Sequence, residues 1–264
     1  MSVQFLLQAA ALAVIAVVFS MHGQGGGVLY ASLLVGLGAP FHDAAALSQF
    51  LIVVTSLSAS WVFRSANKVD WTVALTLETA ALSGGFIGGA ASQLFDDRAL
   101  EAALAVSVFL AGCLMFKDFE ARDPPPASRW RWYRNLDGRP YSVNLALGMP
   151  AALLIGILSG LTGTAGGFLK VPMFVLLFRM PADIALGSTQ FMTSLTALGG
   201  LAGHLSHRSF DWSRAFLLGV FVFAGAQLGP RLSFRMSAEG IRKRFGWFLI
   251  AVSLVICARL AMMA

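Results

Sequence analysis

Charged residues are scarce in this 264-residue chain: they account for 12% of it, against 57% for hydrophobic residues. The mean hydropathy is +0.74, whereas a soluble domain carries about 25% charged residues. A soluble receptor or a soluble hydrolase is therefore excluded. The apolar residues form continuous runs and do not alternate with polar ones in pieces of about 10 residues, which excludes a transmembrane β-barrel. The composition predicts an all-α polytopic membrane protein.

Residues that hold metals, nucleotides or covalent intermediates are also few. The two cysteines, Cys113 and Cys257, lie within apolar runs and are expected to be small packing residues. The sequence has no Cys/His spacing typical of a metal site, no nucleotide-binding motif and no convincing pair of nucleophile and base. We therefore expect no metal, no cofactor, no enzymatic activity and no coupling to ATP. The net charge of +6 is attributed to cytoplasmic loops, not to nucleic-acid binding.

What the chain does contain is a repeat at a fixed offset of 141 residues. The matched positions are Gly25-Gly26 and Gly166-Gly167, Pro40 and Pro181, Gln49-Phe50 and Gln190-Phe191, Asp70-Trp71 and Asp211-Trp212, and Gly84 and Gly88 with Gly225 and Gly229. No gap is needed from the first pair to the last. A duplicated membrane segment with polar residues in matching places is typical of a transporter.

Ten apolar segments are predicted, five in each copy of the repeat. They cover 3–20, 27–38, 44–63, 71–93 and 99–116, then 143–161, 168–179, 185–205, 212–231 and 245–262. Most reach the roughly 20 residues that span a bilayer, but 27–38 and 168–179 are shorter and each follows a glycine cluster. This pattern predicts a first transmembrane repeat at 1–116, a linker at 117–142 and a second transmembrane repeat at 143–264. Paired short segments of this kind indicate a binding site at the membrane midplane.

The distribution of basic residues predicts the orientation. The linker 117–142 and the loop 231–244 are rich in Arg and Lys, so both are expected in the cytoplasm. The repeat partner of 231–244 is 90–103, which is acidic at Asp96-Asp97 and is expected outside. Equivalent loops then lie on opposite sides, so the repeat is inverted and both termini are outside. Whether the short segments cross the membrane or re-enter it is left open.

The glycine clusters are the first candidates for a binding site. A helix that begins inside a membrane leaves its first N–H groups without partners, and an anion supplies the missing acceptors. Glycine also lets a ligand approach the backbone closely. We expect two half-helix N-termini to face one anion, with Gly25, Gly26, Gly27, Gly166 and Gly167 as the glycines of the site. Helix packing is the alternative for them, and is the favoured role of Gly84, Gly88, Gly225 and Gly229.

Polar side chains within apolar surroundings are further candidates. Lys170 is expected to bind the anion, with snorkelling to the interface as the alternative, and its repeat counterpart is Leu29. Glu78 is a candidate for proton coupling; alternatively it pairs with a buried cation or lies near the membrane edge. The remaining candidates for substrate binding are Gln49, Gln190, Thr164, Thr189 and His22. Structural capping is the alternative for the two glutamines.

Two other groups of polar residues are expected to be structural. Asp70 and Asp211 each precede a long apolar segment and fit N-caps, with the following Trp at the membrane interface. His204 and His207 are three residues apart. A water-exposed position at the membrane interface is favoured for them over a metal site.

The segment SGLTGTAGGFLKVP at 159–172 resembles the glycine-rich signature of the TauE/SafE family, the sulfite or organosulfonate exporter-like membrane proteins. The stretches at 185–190, 207–212 and 225–229 resemble that family too, and the likeness covers nearly the whole chain. The resemblance implies a secondary transporter of small sulfur-containing anions, such as sulfite, thiosulfate or organosulfonates, in the bacterial inner membrane. Another small solute, a carboxylate or a divalent metal, is the alternative. The glycine-rich faces are compatible with a homodimer, and no nucleic-acid partner is expected.

Overall fold

The computed structural model describes residues 3–116, 130–205, 210–236 and 238–262. Its helices are α1 (Val3–Met21), α2 (Gly27–Gly36), α3 (Phe41–Ser65), α4 (Trp71–Ala91), α5 (Asp97–Leu114), α6 (Leu145–Thr162), α7 (Gly167–Pro172), α8 (Ala182–Leu205), α9 (Trp212–Ser233) and α10 (Ala238–Met262). A short 3₁₀ turn at Ser92–Leu94 follows α4, and a π turn at Met173–Leu177 extends α7. All ten predicted apolar segments therefore coincide with helices.

Five of the described helices are long and apolar enough to cross a membrane, namely α1, α3, α4, α6 and α9. Helix α3 is mostly buried at the centre of the bundle, whereas the others expose much of their apolar surface. Large side chains such as Leu7, Phe86 and Val220 point outward. An outer surface of this kind is stable against lipid and unstable against water, so these helices form a multi-pass membrane bundle.

Glycines allow the closest helix contacts in the bundle. A β-carbon at Gly84 or Gly88 on α4 would collide with the backbone of α6, and one at Gly225 or Gly229 on α9 would collide with the backbone of α1. Small residues at such positions let backbones approach closely, so that dispersion contacts hold helices together where water supplies no driving force. The packing role predicted for these four glycines is confirmed.

Helix packing follows the repeat. The first residues of equivalent helices are separated by between 140 and 142 positions. The largest contacts between different helices have exchanged counterparts: α4 packs on α6 as α1 packs on α9, and α4 packs on α8 as α3 packs on α9. The remaining principal contacts join equivalent helices, α3 with α8 and α5 with α10. The two halves of the chain thus contribute matching surfaces to one core.

A β-hairpin corrects the expectation of an all-α chain. Strands β1 (Arg131–Leu136) and β2 (Arg139–Asn144) pair antiparallel at the end of the predicted linker, and β2 runs two residues past it. Residues 117–129 of the linker lie outside the described part. The turn residues Asp137 and Gly138 have φ of 58° and 73°. Positive φ at both central residues is the geometry of a type I′ turn, for which Asp-Gly is a preferred sequence. The hairpin leads directly into α6.

Ion pairs hold the hairpin against the N-terminal ends of two helices, α4 and α8. Arg134 donates from Nε to Asp70 at 3.0 Å and Arg139 donates from Nη1 to Asp183 at 2.9 Å. Asp70 caps α4 and Asp183 lies in the first turn of α8. The face of the bundle that carries the hairpin, hereafter the hairpin face, is therefore defined by the starts of α4, α6 and α8.

The predicted helix caps are confirmed, whereas the predicted role of the cysteines is wrong. Asp70 accepts a hydrogen bond from the backbone N–H of Val73, and Asp211 accepts one from that of Arg214. Cys113 and Cys257 are both exposed on the surface of the bundle. A thiol in an apolar run of a membrane helix is equally stable against lipid, so the apolar run did not determine which side of the helix is buried.

Candidate functional site

Two breaks interrupt the apolar helices at the centre of the bundle. The first break, residues 22–26, lies between α1 and α2, and the second, residues 163–166, lies between α6 and α7. Each has two glycines in the left-handed region, Gly23 and Gly26 with φ of 70° and 87°, and Gly163 and Gly166 with φ of 70° and 65°. The last glycine of each break is the N-cap of the short helix that follows. Glycine is needed there because other residues adopt this conformation only at a cost of about 1–2 kcal/mol.

The structure corrects the repeat register in this region. The two N-cap glycines, Gly26 and Gly166, are 140 positions apart instead of the predicted 141. The offset returns to 141 at the starts of α3 and α8, so the second half has one additional residue in between. The π turn Met173–Leu177 lies within that interval, and a π turn accommodates one additional residue in a helix. The counterpart of Lys170 is therefore Tyr30 and not Leu29.

The two breaks contact each other. A β-carbon at Gly27, the first residue of α2, would lie 2.6 Å from the carbonyl oxygen of Thr164 in the second break. One at Gly167, the first residue of α7, would lie 3.3 Å from Cγ of Gln24 in the first break. The N-termini of the two short helices therefore meet at one place in the bundle.

Side chains from the long central helices fix each break. On α3, Ser48 donates to the carbonyl oxygen of Gly163 at 2.9 Å and Gln49 donates to that of Ser159 at 3.1 Å. The equivalent residues of α8 bind the first break in the same way. There Thr189 donates to Gly23 at 3.3 Å and Gln190 donates to Gln24 at 3.3 Å. Each long helix thus binds the break of the other half, and α3 also binds the end of α6 just before it.

These polar side chains also leave hydrogen-bonding atoms without partners. Among the described residues, Nε2 of Gln24, Oε1 of Gln49 and Oε1 of Gln190 are buried and unbonded, as is Oγ of Ser56. All four side chains are at most 2% exposed. Such groups are costly to bury, at about 1–3 kcal/mol each. Their concentration around the two breaks marks this as a place where a polar ligand or water would be stabilised.

Lys170 and Glu78 form a buried ion pair next to the breaks. Nζ of Lys170 lies 3.0 Å from Oε2 of Glu78, and Thr196 bridges them, accepting from Lys170 at 2.5 Å and donating to Oε1 of Glu78 at 2.6 Å. The exposed fractions of Lys170 and Glu78 are 0% and 2%. These three residues are called here the Lys–Thr–Glu triad. Of the roles considered for Glu78 from the sequence, the structure has the one in which it pairs with a buried cation.

The first half has a neutral counterpart of the triad. Tyr30, the equivalent of Lys170, is hydrogen-bonded to Thr55, the equivalent of Thr196, at 2.9 Å. The position equivalent to Glu78 is Gly219. The charges of the site are therefore present in one half only.

The histidines are distributed over the bundle. His22 lies in the first break with Nδ1 2.7 Å from the carbonyl oxygen of Val18. His42 pairs with Asp97 at 3.4 Å, and His204 lies 3.1 Å from the carbonyl oxygen of Gly160. His207 lies outside the described residues. In the described part of the chain no three metal-binding side chains come together.

Cavities lie on both faces of the bundle. One of about 260 Å³ is lined by residues including Leu34, His42, His204 and Arg214, at the face opposite the hairpin. The other, of about 390 Å³, lies at the hairpin face and is lined by residues including Lys68, Arg139 and Leu186. Leu186 also contacts Gly23 of the first break. Leu186 thus lies between the cavity at the hairpin face and the first break.

The sequence family described as "Sulfite exporter TauE/SafE" matches residues 8–256. The chain belongs to this family. The probable membrane transporter protein YunE of Bacillus subtilis (strain 168) is 26% identical over 84% of this chain and 86% of its own length. A probable membrane transporter protein of Xylella fastidiosa (strain Temecula1 / ATCC 700964) is 27% identical over 90% of this chain and 88% of its own. No solved structure matches the chain significantly.

Within this TauE/SafE membrane transporter, the residues predicted from sequence fall around one centre. The glycines of both breaks lie there with Gln49, Gln190, Thr164 and Thr189. The prediction did not include Gln24, Ser48, Ser56 or Thr196. Gln24 lies inside the first glycine cluster and Ser48 precedes a repeated glutamine, so both had a signal in the sequence. Thr196 is one of many hydroxyl residues in α8, and nothing in the sequence distinguished it from the others.

Proposed function

We propose that this protein is a secondary transporter of small sulfur-containing anions, such as sulfite, thiosulfate or organosulfonates. The anion site that we propose lies where the N-termini of α2 and α7 meet. Its proposed residues are Gly25, Gly26, Gly27, Gly166, Gly167, Gln49, Gln190, Thr164, Thr189, His22 and Lys170. The observation that carries this proposal is the contact of the two breaks, with Gly27 against Thr164 and Gly167 against Gln24.

Helix electrostatics support an anion at this place. The first N–H groups of a helix have no partner within it, and the helix dipole favours negative charge there. In a membrane an unsatisfied N–H costs several kcal/mol, so two adjacent N-termini bind acceptors strongly. A sulfur oxyanion has oxygens in several directions and can accept from both helices. The unbonded Nε2 of Gln24 is a further donor at the same place.

The packing supports an inverted arrangement of the two halves. Gln8, near the start of α1, is hydrogen-bonded to Arg214 at the start of α9, at 3.2 Å. Helix α6 begins instead directly after the hairpin, beside the starts of α4 and α8. We place the hairpin face in the cytoplasm of a bacterial inner membrane, because the hairpin contains three arginines, Arg131, Arg134 and Arg139. Both termini are then outside, and the cavities on the two faces are the entrances to the site.

Gly167→Ala is the variant that tests the proposed anion site. The added methyl would stand 3.0 Å from Oγ1 of Thr193 and 3.3 Å from Gln24, a tight contact with side chains that can adjust. Folding should be kept while the methyl occupies the space next to the N-terminus. Gly36→Ala is the matched control, because nothing lies within 4 Å of its β-carbon.

The experiment measures binding by purified protein and uptake by proteoliposomes. The panel contains sulfite, thiosulfate, methanesulfonate, sulfate, acetate and a divalent metal. We expect a sulfur oxyanion to stabilise the wild type, and its affinity to fall at least about tenfold in Gly167→Ala, which is the loss of about 1.4 kcal/mol. Gly36→Ala should bind like the wild type. Stabilisation by acetate or metal alone would establish the alternative solutes. Equal affinity of all three proteins for the sulfur anion would refute an anion site at the breaks.

A further inference from the structure

We propose that the Lys–Thr–Glu triad couples transport to protons, with the substrate anion replacing Glu78 at Lys170 while Glu78 takes up one proton. The inference rests on the proposed anion transport and adds the coupling ion and its stoichiometry. Before exchange the triad is an ion pair without net charge. Afterwards Lys170 is paired with the substrate and Glu78 is a neutral acid, so a monovalent anion and one proton enter together.

The triad lies close enough to the breaks for this exchange. Thr193 and Thr196 are on one face of α8, about 4.5 Å apart along its axis at 1.5 Å per residue. Thr193 lies beside Gly167, and Thr196 binds Nζ of Lys170. An anion at the N-terminus of α7 is therefore one helical turn from the ammonium group. Lys170 is itself in the first turns of α7, because its N–H donates to the carbonyl oxygen of Gly166.

Burial makes the two charges interdependent. Both side chains are within the apolar interior and are stable as ions mainly through each other and Thr196. Removing one partner from a buried pair is strongly destabilising, by about 3–5 kcal/mol, since the other charge is left uncompensated. An anion that binds Lys170 removes the partner of Glu78. The carboxylate avoids that penalty by taking up a proton from the solution.

Among the described residues, His22 in the first break is the ionisable group of the proposed anion site outside the triad, and the helices around the triad carry few others. Glu78 and Lys170 are the only ionisable residues of α4 and α7, and α6 and the π turn have none. On α8, Asp183 and His204 are roughly 20 Å and 12 Å from Thr196 along the axis. On α5, which packs on α7, the groups are Asp97, Arg98 and Glu101 in its first two turns. No described residue of these elements can replace Lys170 as the partner of Glu78.

The asymmetry of the repeat fixes the number of protons. Tyr30 and Thr55 repeat the geometry of Lys170 and Thr196 without charge, and Gly219 replaces the carboxylate. A second exchange site in the first half would need both a cation and an acid. One pair therefore gives one proton for each anion bound.

Methanesulfonate is the appropriate probe, because it stays fully ionised and any pH dependence then belongs to the protein. One pH unit corresponds to 1.36 kcal/mol of proton free energy, so proteoliposomes that are alkaline inside by one unit should accumulate the anion about tenfold. An imposed membrane potential should have no effect, since the transported species together are neutral. Glu78→Gln should lose this pH-driven accumulation. Glu101→Gln, a carboxylate in α5 outside the triad, should keep it.

A paired substitution covers the case in which Glu78→Gln does not fold. Lys170→Met combined with Glu78→Leu removes both charges, a change that is often neutral or stabilising for folding. This double variant should fold and bind methanesulfonate at least about tenfold more weakly than the wild type. Accumulation driven by the pH difference in either variant would overturn the proposal.

The wild type separates the two proposals. If it takes up methanesulfonate or thiosulfate under a membrane potential but not under a pH difference, proton coupling is refuted and anion transport stands. If it binds and transports none of the sulfur anions, the proposed function itself fails.

Discussion

Replacing Gly27 by alanine tests the contact between the two breaks directly. Gly27 begins α2, and its added β-carbon would lie 2.6 Å from the carbonyl oxygen and 2.7 Å from Cα of Thr164. Both atoms belong to the backbone of the second break and cannot move by a rotamer change. The same methyl would also collide with Cδ1 of Ile52 on α3. Accommodation therefore requires the two halves of the bundle to separate.

The expected magnitude follows from two opposing effects. Overpacking a well-packed site costs about 1–3 kcal/mol. Alanine in a helix is better than glycine by about 0.5–1 kcal/mol, although the gain is smaller in the first turn. The net expectation for Gly27→Ala is a loss of roughly 1–2 kcal/mol in the free energy of unfolding.

Thermal unfolding in detergent, followed by tryptophan fluorescence, measures the effect. Gly36→Ala is the control at the other end of α2, and its open surroundings predict unchanged or slightly higher stability. A melting temperature of Gly27→Ala equal to that of Gly36→Ala would refute the close approach of the two breaks. The reasoning about the binding site would then lose its geometric basis.

Two further predictions concern the periphery of the site. Burial opposes ionisation of Asp70, but hydrogen bonds from Arg134 and Tyr141 outweigh it and hold the pKa of Asp70 below its usual 3.8. The stabilisation of the hairpin by ionised Asp70 is therefore complete above pH 3.8 and is lost as the pH falls through the lowered pKa. Asp70→Asn should weaken the hairpin contact by roughly 1–3 kcal/mol at neutral pH, which would be measured as faster hydrogen exchange in the hairpin. Gly88→Ala and Gly229→Ala should each lower the melting temperature, because each methyl meets helix backbone in an equivalent contact; a stable variant in either half would contradict the paired packing.

Periodicity and composition were sufficient for the helices. Continuous apolar runs predicted ten segments, and the short lengths of 27–38 and 168–179 predicted two helices that begin at glycine breaks. The roles of Asp70 and Asp211 followed from the preference of aspartate for N-caps. These features depend on local sequence, so a single sequence is enough to predict them.

Features that depend on three-dimensional detail were not predictable in the same way. The glycine pairs align at an offset of 141 by identity, but backbone conformation aligns Gly26 with Gly166, because a π turn absorbs the additional residue. The pairing of Glu78 with Lys170 joins residues 92 positions apart, and sequence spacing could not choose between partners. The hairpin did have a signal in Asp137-Gly138 between alternating residues, but the basic composition of the linker suggested a loop.

The unequal halves have a consequence for the resting state. If the two halves of a duplicated chain were identical, exchanging their conformations would leave the free energy unchanged, and states open to either side would be equally populated. Here such an exchange places a tyrosine–threonine pair where the other state has an ion pair, and a regular helix where the other has a π turn. The degeneracy is lifted, and a difference of only 1.4 kcal/mol already favours one state tenfold. If the halves exchange conformations during transport as proposed, we therefore expect the chain to favour one side of the membrane before any gradient acts on it.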